Sequence, residues 1–197
     1  MKRLLYFLVS CTLLTGAPGC NYQPPLHRQK QVMMGTFVEV VSPDRRAAGI
    51  VFAEVKRLES LLSKYDPRSE VFRLNRDARV TAGPELLFML ERSRYFWRTT
   101  DGAFDITVGP LVDLWGFTDK KFREPSKKEV QKALEAAGMK KIIFKTGNPV
   151  VKFMLPETRI DLGAIAKGYA VDCAVARLKK KGIASCLVNV GGHIYCL

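Results

Sequence analysis

Residues 160–172 read IDLGAIAKGYAVD, and the way this stretch begins decides how the rest of the chain is read. Asp161 stands before the turn, Gly163 and Ala164 leave the first turn nearly bare, and Lys167 follows about one helical turn later. Free N–H groups and the positive end of a helix dipole attract anions to such a terminus. Small residues at 163 and 164 let a ligand come close to the backbone. Lys167 would then add a full positive charge beside a bound phosphate. Asp161 has three roles open to it: capping the helix, accepting a hydrogen bond from a ligand base or sugar, or supporting a divalent cation. The structural alternative is an Asp-capped helix whose Gly163 and Gly168 pack tightly on a sheet. Further along, Val171, Val175 and Leu178 form the inward stripe, Lys179 to Lys181 complement the negative end, and Gly182 lies past it.

Downstream, ASCLVNVGGHIYCL (184–197) reads as strand, Gly191-Gly192 turn, strand. Upstream, KIIFKTGNPVVKFML (141–155) reads as a β-hairpin over Thr146 to Pro149. Ser126-x-x-Glu129 is a capping box that opens a helix stopping at Gly138. DGAFDITVGPLVDLWGF (101–117) is irregular and apolar, and Asp105 sits in it among Phe104, Ile106 and Val108. An unpaired carboxylate is expensive there, so Asp105 requires either a local backbone N–H or a ligand. A helix follows Gly83-Pro84 with Leu87, Leu90, Arg94 and Trp97 on one face. SKYDPRSEVFRLN (63–75) is read as a loop around Asp66-Pro67. Ser42-Pro43-Asp44 starts another helix, with Pro43 at its first position and Val51, Val55, Leu58 and Leu62 facing the core. VMMGTFVEVV (32–41) is a strand broken at Gly35. Met34, Tyr65 and Phe104 are core or loop fillers by default, yet aromatic and thioether groups near glycine breaks also suit a planar, polarizable ligand. Strands and helices mix without regular βαβ alternation, which predicts an α+β fold: one domain of mixed β-sheet packed with helices.

The 197 residues carry a formal net charge of +13. Lys2 and Arg3, the apolar run Leu4 to Leu14 and the small residues before Cys20 describe a secretory signal over residues 1–19. The apolar run is about half of the ~20 residues a spanning helix needs. The cut before Cys20 is similar to a bacterial lipoprotein site, although Ala17 replaces the usual leucine; the alternative is an ordinary signal with a chance cysteine. A lipid on Cys20, a tether over 20–31 and a membrane-anchored location in the bacterial cell envelope follow. Export argues against nucleic acid as the partner of a basic chain, and a body held beside anionic lipid accounts for the charge. Cys173, Cys186 and Cys196 remain, an odd number that cannot all pair internally. There is no CxxC pair, and His27 and His193 are the only histidines. Zinc, thioredoxin-like and Ser/His/Asp chemistry are therefore excluded. Gly163-x4-Gly168 lacks the lysine and hydroxyl residue of a P-loop.

Taken in order, MGTFVEV, KYDPRSEVFRLN, DGAFDITVGPLVDLWGF, IDLGAIAKGYAVD and LVNVGGHIY resemble the ApbE family of FAD:protein FMN transferases, from about residue 32 to the end. The resemblance implies an Mg2+-dependent enzyme that splits FAD at its pyrophosphate. It would place FMN on a threonine or serine hydroxyl of a partner protein, a membrane redox complex subunit, and release AMP. It assigns Met34, Tyr65, Ala103, Phe104, Asp105, Asp161 and Lys167 to the FAD site, and the backbone carbonyl of Ala164 to the metal. Family members commonly carry an acid where this chain has His193. Family chains also continue beyond this point with further metal ligands, an aspartate-rich stretch followed by a threonine. That predicts an ApbE-like domain over 32–197 that is incomplete at its C-terminus. FAD hydrolysis to FMN and AMP, a flavin-binding lipoprotein without catalysis, and a basic surface-anchoring module are the competing readings.

Overall fold

Two antiparallel strands come first among the described residues and set the first turn. In the computed structural model, which describes residues 24–145 and 147–197, β1 (His27–Met33) pairs with β2 (Thr36–Ser42), Met33 lying opposite Thr36. The expected signal segment and the expected lipidation site at Cys20 lie outside the described residues. Strand β1 takes up residues 27–31, which the sequence had assigned to a tether. Gly35 is thus not a break within one strand. Met34 (φ +50°) and Gly35 (φ +69°) are both left-handed, as the twist-matched two-residue hairpin loop requires.

Helix α1 (Ala47–Leu62) starts later than expected, because the hydroxyl of Ser42 and the carboxylate of Asp44 accept from Asp44 N and Arg46 N and stabilise a preceding turn. Its stripe of Val51, Val55, Leu58 and Leu62 is buried as read. Helix α2 (Glu70–Asp77) was missed inside the supposed loop 63–75. Ser69 caps it, accepting from Phe72 N at 2.9 Å. Next come β3 (Arg79–Thr81) and α3 (Pro84–Thr99). The buried face of α3 is Leu86, Met89, Leu90 and Ser93, one position round from the expected stripe. Arg94 instead lies 3.5 Å over the Phe144 ring and donates to Phe144 O, so its guanidinium covers the second sheet.

A 3-10 turn (Ile106–Val108) leads into the short α4 (Gly109–Leu114), and α5 (Lys127–Ala136) carries both halves of the expected capping box. Strands β4 (Ile142–Lys145) and β5 (Asn148–Phe153) pair as a hairpin. Helix α6 (Ala166–Lys180) buries Val171, Val175 and Leu178. Strands β6 (Leu187–Val190) and β7 (His193–Cys196) close the chain across Gly191-Gly192. One sheet has the order β1-β2-β6-β7, the other β3-β5-β4, and every pairing is antiparallel. Helices α1 and α6 pack on each other and on the larger sheet, and one apolar cluster joins both sheets to these helices. The α+β expectation holds. Among the described residues the three cysteines are free; buried Cys186 immediately precedes β6, and exposed Cys196 on β7 lies opposite its neighbour Leu187.

Candidate active site

The segment 159–165 runs across the top of the core before α6 begins, and three other elements hold it. Asn75 at the end of α2 pairs with the backbone of Ile160 in both directions: Ile160 N donates to Oδ1 at 2.8 Å, and Nδ2 donates to Ile160 O at 2.9 Å. Asp161 N donates to Ile106 O at 2.8 Å, which sets position 161 beside the 103–108 segment. Gly109 makes that approach possible, since a Cβ there would stand 2.8 Å from Arg159 O. The third hold is electrostatic. Lys64, its side chain only 10% exposed, pairs with Asp161 Oδ2 at 2.8 Å.

The turn differs in detail from the bare helix start expected. Ile165 is the N-cap and α6 begins at Ala166. Gly163 N donates to Asp161 Oδ1 at 2.8 Å, and the amides of Ile165 and Ala166 both donate to Leu162 O. These N–H groups are spent on the turn itself, so backbone amides contribute less to an anion cradle than the sequence implied. Lys167 folds back so that Nζ donates to Gly163 O at 2.5 Å. Ala164 is exposed at the crest.

Three clefts meet here. The first, about 150 Å³, is lined by Met34, Glu59, Lys64, Tyr65, Asp161 and Lys167 among others. The second, about 340 Å³, is lined by Ala103, Phe104, Asp105, Asp161 and Ala164 with three apolar neighbours. It shares Asp161 with the first. The third, about 570 Å³, shares Phe104 and Ala164 with the second and is walled by Phe88, Phe96 and Tyr169, with Arg92 and Asp172 beside them. All eight residues that the resemblance assigns therefore line these adjoining clefts, which together form a groove around positions 161–164.

Their roles within it differ. Asp105 is satisfied by protein: Oδ1 accepts from the amide and hydroxyl of Thr107, and Oδ2 from Met139 N at 3.0 Å. It orders the 3-10 turn, the local answer of the two that the sequence left open. Met34 holds a left-handed conformation unusual for a residue with a side chain, and its amide donates to Glu59 Oε1 at 2.6 Å. Tyr65 is 60% exposed with its ring open to the first cleft. Asp161 has one oxygen on Gly163 N and the other on Lys64.

Lys64, Asn75 and Glu59 escaped the sequence reading. Lys64 and Asn75 lie inside the quoted KYDPRSEVFRLN, but Asn75 finds its partner 85 residues away, a separation no local pattern reports. Burial alone would lower the Lys64 pKa, yet its hydrogen bond and ion pair with Asp161 outweigh this and the net shift is upward. For a metal, the groove offers the exposed backbone at Ala164 and the separate carboxylates of Glu59, Asp105, Asp161 and Asp172. Among the described residues no group of three or more His, Cys, Asp or Glu is placed to hold an ion. Both oxygens of Asp161 are already engaged, so the described residues do not by themselves make a Mg2+ site.

The α+β fold thus gathers rings, lysines and carboxylates around the 161–164 turn. The sequence profile of the ApbE family matches residues 34–197, and the chain belongs to that family. The FAD:protein FMN transferase of Haemophilus influenzae is 25% identical over 210 residues, covering 98% of this chain and 61% of that protein. The enzyme of the same name from Salmonella typhimurium is 31% identical over 174 residues, covering 82% and 50%. Among solved structures, the ApbE protein of Thermotoga maritima superposes with a TM-score of 0.80 at 32% identity, covering 87% of this chain and 59% of that one. The chain thus spans half to three-fifths of the length of these relatives.

Proposed function

We propose that this chain handles the flavin in an FAD:protein FMN transferase. The acceptor hydroxyl, from a threonine or serine of a membrane redox subunit, attacks the FMN-side phosphorus of FAD. The P–O bond to the AMP moiety breaks, AMP leaves with the electron pair, and the hydroxyl proton is released. The observation that carries the reading is the placement of Met34, Tyr65, Ala103, Phe104, Asp105, Asp161, Ala164 and Lys167 on the linings of adjoining clefts. Among these, the Tyr65 ring and the Met34 thioether offer apolar surface to a flat ring system, while Lys167 brings positive charge toward the diphosphate. Asp105 keeps the 103–108 segment in place as the opposite wall. The Ala164 carbonyl is the contribution the resemblance assigns toward Mg2+, which when bound would neutralise pyrophosphate charge. Lipid attachment at Cys20 and an envelope location complete the proposal.

The test is incubation with FAD, Mg2+ and an acceptor subunit, followed by in-gel flavin fluorescence. A covalent fluorescent band on the acceptor is expected. Free FMN and AMP at the same rate with and without acceptor would replace transfer by hydrolysis, and tight FAD binding without turnover would replace it by a binding role. For the anchor, a radioactive fatty acid is expected to label the parent and not Cys20→Ala; equal labelling would remove it from the proposal.

A further inference from the structure

Lys64 does more than its place beside Tyr65 indicates. Its ammonium reaches Asp161 Oδ2 at 2.8 Å, Thr118 Oγ1 at 2.9 Å and Asp113 Oδ1 at 3.7 Å. It thereby links three separate segments: the end of α1, the turn before α6, and the stretch from α4 to Thr118. The carboxylates of the first cleft are Glu59 and Asp161, and its cations are Lys64 and Lys167. Glu59 is engaged by Met34 N and Lys167 by Gly163 O. Lys64 is therefore the group that directly balances Asp161. Without it, a negative side chain would face an incoming diphosphate across a partly enclosed cleft, where like charges repel more strongly than in water.

We propose that Lys64 is a positioning residue: it fixes the orientation of the Asp161 carboxylate, cancels its charge toward an anionic ligand, and ties the 113–118 stretch to the groove. This rests on the reading of the groove as a flavin-diphosphate site, so the experiment separates the two. FAD is titrated into the full protein at fixed Mg2+ and followed by flavin fluorescence anisotropy. The proteins compared are the parent, Lys64→Met, Lys64→Arg, Asp161→Asn and the double variant Lys64→Met/Asp161→Asn.

Lys64→Met is expected to weaken FAD binding about tenfold or more, the scale for removing one member of a hydrogen-bonded charge pair. Lys64→Arg, which keeps the charge and donors, is expected to restore most of the loss. The double variant is expected to bind about as well as Asp161→Asn alone, because a positioning residue has nothing left to position. Circular dichroism and a melting curve accompany each variant. Should Lys64→Met fail to fold, Lys64→Arg and Thr118→Val carry the test, the latter expected to weaken binding through a displaced Lys64. Parent-like binding by Lys64→Met, or by Thr118→Val where it stands in, or losses that simply add in the double variant, overturns the role of Lys64 and leaves the groove reading intact. Absence of FAD binding by the parent overturns both.

Discussion

Single carboxylates in this chain are stabilised by different neighbours, and the neighbours decide what each can do. Asp105 is held by backbone and hydroxyl donors within its own turn and at Met139, so its apolar setting is tolerated without a ligand. Glu129 is held on the surface. The Arg123 guanidinium first, then the backbone N–H and hydroxyl of Ser126, depress its carboxyl from the usual 4.5 to about 2. A folded-state pKa below the unfolded one means the unfolded chain binds the proton more readily. Its stabilising contribution is therefore complete above pH 4.5 and is lost as pH falls toward 2. Melting temperatures of parent and Glu129→Gln against pH are expected to differ most above pH 4.5 and to converge toward pH 2. A constant gap across that window would refute the assignment.

Elements defined by local chemistry could be read directly, and those defined by remote partners could not. The box that opens α5 needs only Ser126 and Glu129, so it was legible. The cap of α2 uses Ser69 in the same local way, yet it was hidden by the Asp66-Pro67 turn before it, whose signal reads as loop. Ser42 and Asp44 look like a helix start. In the fold the Ser42 hydroxyl donates to Ser185 O at 2.6 Å beside β6, and Asp44 closes a turn, so α1 begins at Ala47. The inward stripe of α3 was misplaced by one position because Arg94 has an aromatic partner, Phe144, that only the folded chain supplies.

At the scale of the whole molecule, one buried charge joins three helices. Glu54 on α1, 6% exposed, pairs with Arg57 at 2.8 Å and with Arg177 of α6 at 3.1 Å. Arg57 also pairs with Glu85 of α3 at 2.5 Å. Breaking a buried pair costs ~3–5 kcal/mol when the remaining charge is trapped. Here Arg57 and Arg177 are 37% and 55% exposed and regain water, which reduces the cost. Glu54→Ala is expected to lower stability by about 2 kcal/mol in urea unfolding, with the slope unchanged. A loss under about 0.5 kcal/mol would show that the network is ornamental surface pairing. The same three helices stand under the groove: α1 ends at Lys64's turn, α3 supplies Phe88 and Phe96, and α6 follows Ala164.

The family resemblance, and no local pattern, named the residues of the groove; the sequence by itself determined the α+β class, the apolar stripes of α1 and α6, and the two hairpins at the end of the chain. Each of these depends on neighbours within a turn or two, where periodicity, caps and glycine conformations act. The tertiary structure alone decided that Asn75 clamps Ile160, that Ile106 meets Asp161, and that Lys64 balances it. These are contacts between residues far apart along the chain, created only when one shared core brings α1, α2 and the 159–165 segment together. Local elements were thus legible in the sequence, while the shape of the site and its charge balance were both set by packing.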